Sequence, residues 1–112
     1  MKKFVVMFLA PASVLEGWAH VGEEQRKAEE TKMKNAWDAW IAAHKDAIVE
    51  IAGLGATKRI NAEGTADIKN DMMLYAVMQA ESQDAVAAML AGHVHLQIPQ
   101  ASIEIMEAHP IG

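Results

Sequence analysis

The chain has 112 residues, 52% apolar and 22% charged, a balance that fits one globular domain over residues 1–112 and not a disordered segment. A formal charge of −5 excludes the electrostatic footprint of a nucleic-acid-binding surface, and its densest basic cluster, Lys32 to Lys34, shares its helical stretch with Glu29 and Glu30. The absence of cysteine removes disulfides and thiolate chemistry, which fits a cytoplasmic location, and no apolar run reaches the roughly 18 residues that would cross a membrane.

Residues 3–9, KFVVMFL, are mostly β-branched or aromatic and stop at Pro11, which predicts a strand. The same stretch imitates a secretory leader, with two lysines before an apolar run, but Pro11 cuts that run short and cleavage would remove the best strand. From 23 to about 51 the period changes. Met33, Trp37, Trp40, Ile41, His44, Ile48 and Ile51 recur at spacings of three and four, predicting one long amphipathic helix that Gly53 and Gly55 end. ATKRIN, 56–61, alternates weakly and leads into a turn at Glu63 and Gly64, so it reads as a second strand. DMMLYAVMQA, 71–80, is apolar on both parities and predicts a strand buried on two faces. Ser82 then caps a helix that Gly92 closes, and ASIEIM, 101–106, alternates as a last strand.

The element order is therefore β-α-β-β-α-β, an α+β ferredoxin-like fold with a four-stranded antiparallel sheet in the order 4-1-3-2 and two helices on one face. Two helices cover one sheet face only. The first strand offers Phe4, Val6 and Phe8 to one side but Val5, Met7 and Leu9 to the other, and the third is apolar on both sides too. Several hundred Å² of exposed hydrocarbon is more than a soluble monomer usually tolerates, which predicts a homodimer joined through the sheet face.

The phrases KKFVVMFLAP, YAVMQAESQDAVAAML and HVHLQIPQASIEIMEAHP, with this element order, resemble YCII-related proteins of the dimeric α+β barrel superfamily. The resemblance implies a protomer whose sheet packs on a partner's to form a barrel, and a superfamily that includes cofactor-independent oxygenases, isomerases, lyases and heme-degrading enzymes. YCII-related proteins often carry a histidine at the start of the first helix and an Asp-Gly-Pro-Phe-like turn before the third strand. The nearest counterparts here are His20 and Asp71, the latter in a turn without Gly-Pro, so the resemblance implies His20 with Asp71 as a site pair.

The residues offer further chemistry. His93 and His95 would share a side of an extended segment, a spacing that can serve a metal, although just past a helix end they can equally hold backbone carbonyls. Trp37 and Trp40 read first as core. Trp18, Trp40 and Tyr75 could also line an aromatic pocket in which His44 or His93 transfers a proton while Tyr75 or Lys58 stabilises negative charge. The candidate catalytic residues are thus His44, His93, Lys58 and Tyr75, and the candidate substrate contacts Trp18, His20, Trp40, Asn70, Asp71 and His95. Lys58, Asn70 and Asp71 have a plainer reading as edge protection and turn residues. No resident cofactor or metal ligand set is expected, since GLGATK lacks phosphate-loop spacing and no Gly-x-Ser-x-Gly elbow occurs. The expectation is a small homodimeric protein binding an organic molecule between helices and sheet, with general acid/base chemistry without a cofactor as one extension. A noncatalytic sensor or assembly protein, or a histidine-ligated metal enzyme, is the alternative.

Overall fold

A computed structural model describes residues 1–18 and 20–112. Strand β1 (Lys2–Leu9) is followed by a short helix α1 (Ala12–Trp18) and a long helix α2 (Glu23–Ala43). Then come β2 (Ile48–Gly53), β3 (Thr57–Asn61), β4 (Gly64–Ile68), β5 (Met72–Ala80), helix α3 (Gln83–Leu90), a 3-10 turn (Val94–Gln97) and β6 (Ser102–Glu107). The main sheet runs β2-β5-β1-β6 and every neighbouring pair is antiparallel. Counted over the main-sheet strands alone, this is the 4-1-3-2 order, and the chain is an α+β protein of ferredoxin-like build.

Three features differ from the sequence-based expectation, the first being helix α1, which adds a third helix to the two expected. The second sheet strand is 48–53, not 56–61, so the long helix ends well before Ile51. Its backbone leaves the helix at His44 (φ −121°), and a turn closed by the Ala47 amide donating to the His44 carbonyl (2.9 Å) sends the chain into the sheet. The helical spacing misled here because Ile48 and Ile51 do both reach the core, but through a bulge between Ile48 and Glu50 that resets the strand's alternation. Residues 57–61 do form a strand. They pair only with 64–68, in a separate two-stranded hairpin, because the Asn61 side chain accepts from the Glu63 amide (2.9 Å) and Gly64 adopts φ 130°, closing a tight turn.

The core lies on one side of the sheet. Phe4, Val6 and Phe8 of β1 meet Ala76 and Met78 of β5 and Val86 and Leu90 of α3, with Trp37 and Trp40 of α2 packed against them. Ser82 caps α3 as its sequence predicts, its hydroxyl accepting from the Ala85 amide at 3.1 Å. Trp40 Nε1 donates to the Met89 carbonyl (2.8 Å) and so ties the two helices together. The opposite side of the sheet shows Val5, Met7 and Leu9 alongside Tyr75, Val77 and Met106, with Glu50 and Glu104 at its flanks.

The chain as a whole, with its exposed β3–β4 hairpin, has more surface than a compact monomer. The chain exposes 7686 Å², against about 6,000 Å² for a compact monomer of 12.2 kDa. Its radius of gyration, 15.9 Å, likewise exceeds the roughly 13 Å of a close-packed domain of this length, and the molecule is a slab only 19 Å thick.

Candidate functional site

The fold distributes the candidate residues over four places. Four of them gather at the turn after α3. His93 begins the 3-10 turn and its Nδ1 accepts the His95 amide (2.9 Å), which fixes the ring proton on Nε2. That Nε2 is buried without a hydrogen-bond partner, while the ring stands nearly perpendicular to Trp37 (centroids 4.3 Å) and Trp40 (4.8 Å). Only 4% of His93 is exposed. Burial pushes its pKa down to about 4, and the neighbouring His95 and His44 add to the effect, so the imidazole is neutral at neutral pH. His95 is 1% exposed and its Nε2 lies 2.9 Å from the Leu9 carbonyl, which can only accept, so this nitrogen donates and ties the turn to the end of β1. His44 closes α2, 5.3 Å from Trp40. His44, His93, His95 and Trp40 thus come together, but as a packed cluster around Phe8 in which both His93 nitrogens are sealed from solvent.

Lys58 lies elsewhere, on the β3–β4 hairpin, paired with Asp67 at 2.7 Å with both side chains exposed. Asn70 works at the hairpin root, donating to Thr57 Oγ1 (3.1 Å) and accepting from the Met72 amide (3.0 Å). Asp71 is exposed, and its backbone carbonyl accepts from the Ala10 amide at 2.9 Å. Tyr75 is on the open sheet face, where a hydrogen bond to the Glu50 carboxylate, then burial, then the carboxylate's charge raise its pKa above the usual phenol value. His20 is exposed after α1, and no hydrogen bond or ion pair joins it to Asp71 among the described residues. Nor do any three histidine, aspartate or glutamate side chains among the described residues group closely enough to hold a metal ion.

The best-formed concavity is a cleft of about 420 Å³ between α1, the first half of α2 and the loop around Ile98. Trp18 belongs to it. Val14, Leu15, Val21, Met33, Ile98 and Pro99 supply most of the remaining wall, and Glu29 and Glu30 are its charged members. A shallower cleft of about 260 Å³ lies at the hairpin root on the other side of Leu15. There Lys69 meets Glu16 at 2.7 Å; the pair lowers the Glu16 pKa and raises that of Lys69, chiefly through the hydrogen bond between them.

Sequence reasoning grouped Trp18 with Trp40 and Tyr75 in a pocket between helices and sheet, whereas neither of those two lines the cleft that Trp18 joins. The helical wall was legible, because Glu29, Glu30 and Met33 fall at spacings of three and four within the predicted helix. The facing wall was not. ASVLEGW forms a helix of only seven residues, too short to show a period and without a capping side chain to announce it.

No family model and no curated protein matches the chain. Among solved structures it is similar to a 5-chloro-2-hydroxyhydroquinone dehydrochlorinase from Burkholderia phenoliruptrix, in complex with 2,5-dihydroxybenzoquinone. The likeness covers 100% of this chain and 96% of that one, with a TM-score of 0.50 and 16% identity. At that identity the two proteins share a ferredoxin-like α+β fold, and the likeness extends no further.

Proposed function

We propose that this chain binds a small, mostly apolar organic molecule in the cleft between α1 and α2, and does so as a homodimer closed through the open sheet faces. The observation that carries the binding reading is the cleft itself. Its volume of about 420 Å³ falls within the range of small-molecule sites, and its wall is hydrocarbon and indole with few polar groups, the composition such sites share. The dehydrochlorinase of similar fold is seen with a small quinone, which supports the idea that this architecture can accommodate such a guest. The dimer is supported by the apolar open face, where Val5, Met7, Leu9, Tyr75 and Val77 lie opposite the helix-covered core.

In this reading the histidine cluster is scaffold. It pins the turn before Ile98 and Pro99, and with it one wall of the cleft, while its buried neutral imidazole neither offers nor takes a proton at neutral pH. Binding, and not a particular reaction, is what the cleft supports.

A thermal-shift screen of monocyclic phenols, alcohols and amines tests the proposal. At least one class should raise the melting temperature of the wild type, and Met33→Trp, which fills the cleft, should abolish that shift. Stabilisation that persists unchanged in Met33→Trp would place the guest elsewhere and defeat the proposal.

A further inference from the structure

We infer that the cleft selects an organic cation, an amine or ammonium group carried on a compact apolar body. This rests on the binding reading above and names the class of guest. The cleft is lined by two carboxylates, Glu29 and Glu30, and by no lysine or arginine. Glu30 already has a cation beside it, Arg26 Nε at 3.8 Å. Glu29 has no ion pair among the described residues. Both carboxylates are exposed at the cleft's edge, where an anion would meet repulsion and a neutral guest would gain no charge interaction. An ammonium group compensates the carboxylate directly. The same guest finds an indole in the wall, Trp18, whose π face attracts cations and whose area buries hydrocarbon. The formal charge of −5 on the whole chain favours the approach of a cation as well.

Three probes that share one ring separate the charge from the body: benzylamine, benzyl alcohol and benzoate, titrated calorimetrically into the full chain at low and moderate salt. Benzylamine should bind roughly tenfold tighter than benzyl alcohol, benzoate should bind most weakly, and the advantage of the amine should shrink with salt. In Glu29→Gln, confirmed folded by its melting curve, the ratio of amine to alcohol affinity should fall close to one. Equal affinities in the wild type, or a preference for benzoate, would overturn the cation inference while leaving the cleft as a binding site. Amine preference that survives both Glu29→Gln and the double variant Glu29→Gln/Glu30→Gln would overturn it too. Failure of all three probes to bind would remove the binding reading itself, and the inference with it.

Discussion

The two nitrogens of His93 have opposite fates: Nδ1 is occupied by the His95 amide, while Nε2 carries a proton into a dry aromatic box. Protonating the ring would bury a charge among Phe8, Trp37 and Trp40, beside His95 and His44, which is why the pKa falls from the usual 6.5 to about 4. The unfolded chain therefore takes up this proton before the folded one does. The stability that His93 contributes is fully present above about pH 6.5 and is lost as the pH falls from there towards 4, to the extent of about 3 kcal/mol. Urea unfolding at a series of pH values should show this loss in the wild type. His93→Phe should remove that part of the pH dependence, although loss of the cap lowers its stability at every pH. An unchanged slope in His93→Phe would show that other groups set the acid sensitivity. In the sequence, His93 and His95 read as a spacing, and a spacing cannot say whether two imidazoles face outward to a ligand or inward to carbonyls. The 3-10 turn decides it, and GHVHLQIP offers no period from which that turn could be read.

Among the elements, β1, β5, α3 and β6 were legible because their signals agree: β-branched or alternating runs ended by proline or glycine, and a serine at a helix start. The boundary at His44 was not. The apolar stripe of α2 runs on in phase into β2, and only the β-branched Ile48, Val49 and Ile51 hint that the backbone has changed. Helix α2 has no fully buried residue, and its packing on the core runs through Trp37 and Trp40, the latter also bonded through its indole to the Met89 carbonyl. Trp40→Phe should accordingly lower the unfolding free energy by about 1–2 kcal/mol in denaturant titrations. Lys58→Ala, which breaks an exposed ion pair on the hairpin, should change it by less than about 0.5 kcal/mol. Equal effects of the two changes would mean that the hairpin carries more of the fold than its exposed position suggests; every residue from 58 to 67 is exposed, Ile60 by 78%.

At the scale of the molecule, the helices shelter Phe4, Val6 and Phe8 and leave Val5, Met7, Leu9, Tyr75 and Val77 on the far side of the same strands. Doubly apolar strands announced this in the sequence, since a single layer of helices cannot serve two faces. What the sequence could not show is that the same face carries Glu50 and Glu104, or that Tyr75 is turned towards Glu50. A second copy is the cover we propose. Met7 lies mid-strand on that face, paired with Tyr75 and Glu104, so Met7→Asp should separate the subunits without touching the Phe4–Val6–Phe8 core. Sedimentation equilibrium of the wild type at micromolar concentration tests this most directly. The account predicts a particle of twice the 12.2 kDa chain mass that Met7→Asp converts to the single chain; a cooperatively folded wild type that sediments as one chain would contradict it.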